Sequence, residues 1–160
     1  MKKIIELNIR DSFTPSAVFI DGISRSGKAG VAVAISSLER TEHVQNKYIF
    51  DTIMTNYELG FLNKKAAIDQ LITEIDFTLY FNYLGRNLNT NVHDWSSVLN
   101  SRDPSIYKQR MQRKDNLKTA KIIFDEIEKE KPMSINTCEE LLLHRELFLE
   151  AFNNLFVVVV

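Results

Sequence analysis

The sequence predicts a helix-rich α/β domain in which helices cover both faces of a parallel sheet, a three-layer α/β/α arrangement. Three observations carry this. Ala17-Val18-Phe19-Ile20-Asp21 is a short run apolar on both faces, as strands inside parallel sheets are. Leu155-Phe156-Val157-Val158-Val159-Val160 is a second such run, rich in β-branched residues. Between them lie long stretches whose apolar residues recur at three and four residues, the helical period.

The first strand follows Thr14-Pro15-Ser16 and ends in Asp21-Gly22. After a glycine-bounded segment, a helix is predicted from Ala29 to Arg40 with Val31, Ala34, Ile35 and Leu38 as its apolar face. Tyr48 to Gly85 reads as two helices meeting near Gly60-Phe61-Leu62-Asn63, with Phe77, Tyr80, Phe81 and Tyr83 as core aromatics. Asn87 to Pro104 is a polar connector. Ser105 to Lys131 is predicted as one charged helix with Ile106, Leu117, Ile122, Ile123, Phe124 and Ile127 as apolar candidates, stopped by Pro132. Met133 to Thr137 is a short strand, Glu139 to Phe152 a helix and Asn153-Asn154 a turn. Leu155 to Val160 is expected to be a central strand, which needs neighbours on both sides. Three strands make a thin sheet, and the chain stops on the fourth valine. The expectation is a domain incomplete at its C-terminus, with a further segment or a partner covering the open edge.

A chain of 160 residues that is 44% hydrophobic builds one core, so residues 1–160 are read as a single domain. Its 20 basic and 21 acidic residues are mixed and leave a net charge of −1, which gives no field toward nucleic acid or an anionic membrane. The basic run Lys108, Arg110, Arg113, Lys114, Lys118 and Lys121 is interleaved with Asp115, Asp125 and Glu126 and reads as a solvated face. One cysteine, Cys138, excludes an internal disulfide and fits a reducing, cytoplasmic compartment; it is expected to be a small buried residue. Met1 to Leu7 starts like a signal peptide, but Glu6, Arg10 and Asp11 interrupt the apolar stretch, and no run approaches the ~20 residues of a membrane span. A soluble protein is expected.

The segment that carries chemistry is Gly22-Ile23-Ser24-Arg25-Ser26-Gly27-Lys28-Ala29, placed directly between a strand and a helix. Gly22, Gly27 and Lys28 stand at Walker A spacing. Glycines let successive backbone N–H groups point into one concavity, a helix start adds partial positive charge, and Arg25 or Lys28 adds a full one. An oxyanion is the expected ligand. A Walker loop ends in Lys followed by Ser or Thr, whose hydroxyl binds Mg²⁺; here Ala29 follows Lys28, which disfavours a magnesium-dependent NTPase.

Ser24-Arg25-Ser26-Gly27 after an apolar strand resembles the 5′-phosphosulfate loop of the sulfotransferase family. The resemblance implies a P-loop α/β fold that uses phosphoadenosine phosphosulfate (PAPS) without magnesium, consistent with Ala29. It places Arg25 against the transferring sulfuryl group and Ser26, Gly27, Lys28 and Ala29 around the 5′-phosphate, with Lys28 where the family usually has Thr. The candidate binding residues are thus Gly22, Ser24, Arg25, Ser26, Gly27, Lys28 and Ala29, with Arg25 and Lys28 as catalytic cations. Ile135-Asn136-Thr137-Cys138 is similar to a segment that carries Lys-Thr-His in cytosolic members, so the histidine that serves them as general base is replaced by Cys138. A strand like Leu155 to Val160 leads, in the family, to an arginine and a serine for the 3′-phosphate; this chain ends before them. The activity implied is sulfuryl transfer from PAPS to an unidentified hydroxyl acceptor. An ATP-dependent P-loop kinase or NTPase, and a non-catalytic P-loop fragment, are the alternatives.

The remaining candidates read as structural. His93-Asp94 beside Trp95 is a solvated loop pair, and His43 and His144 are expected at the surface. No C-x-x-C or H-x-x-x-H spacing exists among the histidines and the cysteine, so no structural zinc is predicted.

Overall fold

The computed structural model describes residues 10–43 and 47–160; the Met1 to Leu7 segment lies outside the described residues. Four strands, β1 (Ser16–Asp21), β2 (Thr41–Glu42), β3 (Met133–Cys138) and β4 (Leu155–Val159), form one sheet in the order β2-β3-β1-β4. Every pairing is parallel, and Phe19 of β1 sits in register with Asn136 of β3 and Val157 of β4. With a neighbour on each side and a packed layer on each face, β1 has no solvated side, which is why its sequence is continuously apolar.

The described residues also form six α-helices: α1 (Lys28–Ser36), α2 (Ile49–Glu58), α3 (Lys64–Leu84), α4 (Pro104–Arg110), α5 (Leu117–Glu130) and α6 (Arg145–Ala151). On one face Phe19 meets Phe50 of α2 and Phe148 of α6 edge to face, both at 5.0 Å, and Ile68, Leu71, Ile72 and Ile75 of α3 join the same core. On the other face Val18, Ile20 and Ile135 pack on Ala32 of α1, with Trp95 alongside. The domain is therefore a helix-rich three-layer α/β/α fold. α5 lies outside the first layer, burying Ile123 and Ile127 against Leu79, Tyr83 and Leu84 of α3. Buried Asp76 of α3 anchors the segment leading into β1, accepting from Arg10, Ser12 and Thr14.

Several expectations are corrected. The helix predicted to Arg40 ends at Ser36, and its buried face runs through Ala32 and Ser36, while Leu38 is exposed. The Ser36 and Ser37 hydroxyls bond the carbonyls of Ala32 and Ala34, and the chain turns into the unpredicted β2. Ser105 to Lys131 is two helices, because the Asn116 side chain accepts from Thr119 N and starts α5 afresh. In the basic run Arg110 is not solvated but buried against Glu42. The Glu139 to Phe152 helix is a 3-10 turn, Leu141–His144, followed by α6. Among the described residues β4 stands at the end of the strand order rather than in its centre: it bonds to β1 and to no other described strand, and Phe156 and Val159 are exposed. Phe77, expected in the core, is half exposed and stacks on Phe81. Leu117, Ile106, Ile122 and Phe124 are exposed as well. His43 and His144, expected at the surface, are both buried. No described helix is long and apolar enough to cross a membrane.

Candidate phosphate-binding site

The loop between β1 and α1 lines a cleft of about 360 Å³ at the carboxyl ends of β1 and β3, where ligands bind in open α/β sheets. Arg25, Ser26, Gly27, Lys28 and Ala29 form one wall, and Lys47, Tyr48, Asp51, Trp95, Thr137, Cys138 and Glu139 the others. Gly22 and Ser24 lie in the loop but do not line the cleft.

Two backbone positions explain the glycines. A Cβ on Gly22 would lie 2.5 Å from the Val160 carbonyl oxygen and 2.9 Å from Ser26 Oγ. Gly27 is the N-cap of α1 with φ 96° and offers no side-chain cap to the helix. The N–H groups of Gly27, Lys28 and Ala29, before the first helical hydrogen bond, have no acceptor among the described residues. Three consecutive free donors at the positive end of a nine-residue helix are built to receive an anion. The Ser26 Oγ is buried and has no hydrogen-bond partner among the described residues either.

The two loop cations are in different states. Lys28 Nζ donates to Gly22 O (2.5 Å), Ile23 O (3.0 Å) and Glu139 Oε1 (3.2 Å), so all three of its protons are committed. It ties the loop to itself and to the end of β3. Arg25, at φ 65°, is exposed and has no protein partner among the described residues. The third cation of the cleft, Lys47, bonds Glu74 and Thr78 of α3. Arg25 alone is thus available without breaking an existing bond.

The opposite wall was not visible in the sequence. Asp51, in the first turn of α2, accepts from Glu139 N at 2.8 Å and from Cys138 Sγ at 3.3 Å. Asp21, at the end of β1, accepts from Leu142 N at 3.0 Å and Leu141 N at 3.4 Å. These two carboxylates fix the turn after β3 and hold Glu139 in front of Lys28. Burial, aided by Asp51, pushes the Cys138 thiol up from its ordinary range, so it is a structural thiol. His43 is buried away from the loop, its backbone N–H bonded to Tyr107, and burial pushes its imidazole down. His93 is exposed beside Asp94, whose carboxylate bonds Ser96. Tyr48, 70% exposed, and Trp95 give the cleft two aromatic edges.

Comparison with protein-family models, with curated proteins and with solved structures finds no match for this chain.

Proposed function

We propose that the chain is a sulfotransferase-like P-loop protein that binds PAPS through residues 22–29 and transfers its sulfuryl group to a hydroxyl acceptor. The observation that carries this reading is the row of acceptor-free N–H groups at Gly27, Lys28 and Ala29 beside the unpaired Arg25. The row suits the 5′-phosphate of the cofactor, and Ala29 offers no hydroxyl to a magnesium ion. In the transfer, the acceptor oxygen attacks sulfur and the bond from sulfur to the bridging phosphate oxygen breaks. Adenosine 3′,5′-bisphosphate leaves, and the acceptor's proton passes to a base. Arg25 offsets the charge that develops on the bridging oxygen. With Cys138 where a histidine base would stand, Glu139 is the carboxylate at the cleft that suits the base role.

The alternative, an ATP-dependent kinase or NTPase, is favoured by the Gly22 to Lys28 spacing and by two carboxylates, Asp51 and Glu139, facing the loop. A non-catalytic phosphate-binding module is the third reading. The buried, unbridged Cys138 supports a reducing, cytoplasmic location, and the mixed surface charge supports a small-molecule partner over nucleic acid. The exposed residues of β4 support coverage of that edge by another segment or a partner.

Calorimetric titration with adenosine 3′,5′-bisphosphate, and separately with ATP with and without Mg²⁺, tests the reading. Bisphosphate binding that weakens in Arg25→Ala is expected. Magnesium-dependent ATP binding with no bisphosphate binding overturns it in favour of the kinase, and silence with every nucleotide leaves neither.

A further inference from the structure

We propose a second site, independent of the nucleotide loop: a divalent transition-metal site of the zinc class formed by Glu58, Glu140 and His144. One ligand atom from each of these residues lies within 4.8 Å of the other two. Glu58 is the last residue of α2, Glu140 follows β3, and His144 closes the 3-10 turn one helical step after Glu140. The helix end places the negative pole of α2 at the site, which favours a cation.

Two buried polar atoms point to a ligand. His144 is 8% exposed, and among the described residues neither its Nε2 nor the buried Glu140 Oε2 has a hydrogen-bond partner. Such groups are normally satisfied, and here an imidazole nitrogen lies within 4.8 Å of an oxygen from each of two carboxylates. His144 Nε2 and Glu58 Oε2 are 3.6 Å apart, longer than a hydrogen bond. That separation is close to the ~3.4 Å edge of a tetrahedron built on metal–ligand bonds of about 2.1 Å.

The donor set selects the metal. One imidazole and two carboxylates form a three-ligand zinc set that leaves a fourth position for water or substrate. An imidazole ligand favours zinc-class ions over Mg²⁺ and Ca²⁺, which take oxygen. The site is supported as well as shaped. Asp21 bonds the N–H groups of Leu141 and Leu142 and so fixes the turn that carries His144. The Tyr57 ring stands edge-on to the imidazole at 6.0 Å and limits its rotation. Glu58, with its side chain 68% exposed, provides the entry and the freedom to close on an ion. None of the three residues lines the phosphate cleft.

The test is titration of the EDTA-treated 160-residue chain with Zn²⁺ and, separately, Mg²⁺, by calorimetry and by competition with a chromogenic chelator. One equivalent of Zn²⁺ and no comparable Mg²⁺ binding is expected. His144→Gln should weaken Zn²⁺ roughly 100-fold or more and Glu58→Gln at least about tenfold, while His93→Gln, at an exposed loop histidine, binds as the parent does. Far-UV circular dichroism checks each fold, and the exposed Glu58 position decides the matter if His144→Gln unfolds. No Zn²⁺ binding by the parent chain, equal binding of Mg²⁺, or Zn²⁺ affinity unchanged in Glu58→Gln overturns the proposal.

Discussion

Lys28 and Arg25 are three residues apart and carry the same charge, yet the structure makes only Lys28 a contributor to stability. Lys28 Nζ holds two loop carbonyls and Glu139, and its side chain is only 12% exposed. Hydrogen bonds from a charged donor contribute about 1.5–3 kcal/mol each, but water can replace the amine at the two carbonyls. Glu139 is 41% exposed, so that ion pair adds no more than ~1 kcal/mol. Lys28→Ala should therefore cost about 2–3 kcal/mol, or roughly 4–12 °C in Tm for a domain of this size. Arg25→Ala removes no hydrogen bond or ion pair among the described residues, and its left-handed backbone is no worse for Ala than for Arg. Its stability should match the parent within about 0.5 kcal/mol, while losing one charge-assisted bond to a bound anion should weaken bisphosphate binding about 10- to 150-fold. Urea denaturation followed by far-UV circular dichroism, with calorimetry on the same preparations, measures both. A Lys28→Ala midpoint equal to the parent's, or an Arg25→Ala loss above about 1 kcal/mol, would refute the division of roles.

Three further outcomes are expected. Arg110→Met leaves Glu42 buried without the guanidinium that bonds both its oxygens, at 2.9 and 3.0 Å, and should cost about 3–5 kcal/mol; replacing Glu42 by Leu in the same chain should recover most of it, read by urea midpoints. A Cβ at Gly85 would stand 2.2 Å from the Arg110 carbonyl carbon, whereas one at Gly60 meets nothing within 4 Å, although both have φ near the left-handed minimum. Gly60→Ala should therefore cost ~1 kcal/mol and Gly85→Ala at least about 3 kcal/mol, and equal thermal shifts would contradict this packing. Burial pushes the His43 imidazole below its ordinary 6.5, so the unfolded chain takes up a proton before the folded one. That stabilisation is present above about pH 6.5 and is lost as pH falls, by at most ~1.4 kcal/mol per pH unit; urea midpoints at about pH 7.5 and 5.5 should differ less in His43→Gln than in the parent.

The parts legible in the sequence are those whose signal is local. β1, the loop and α3 were readable because an unbroken apolar run, two glycines and a 3.6-residue period each depend on neighbouring residues only. β2 has two residues and no period to show. The α4–α5 break carried a local signal, an Asn placed to cap the helix beginning at Leu117, but the charges around it read equally well as one solvated helix. Arg110 gave none: its burial depends on Glu42, 68 residues earlier, coming to the end of α4. His144 is buried because Tyr57 and Glu58 of α2 reach it. Glu140 and His144 stand four apart, a spacing that a search for histidine and cysteine pairs alone passes over. Asp51 and Glu139 likewise enter the cleft beside the loop through a contact across 88 residues.

The state of Lys28 bears on which phosphoryl or sulfuryl chemistry the loop suits. A kinase needs its loop lysine on the β- and γ-phosphates and a hydroxyl on Mg²⁺. Here the lysine would first have to leave Gly22 O, Ile23 O and Glu139, and the following residue is Ala29. Ser26 does not replace the missing hydroxyl, because its Oγ lies 2.9 Å from where a Gly22 Cβ would be, inside the loop rather than on the first turn of α1. The sulfotransferase-like reading asks less of the same residues. Lys28 stands where that family usually has Thr, so it can remain the clasp of the loop while the free N–H row holds the phosphate and Arg25 meets the sulfuryl group.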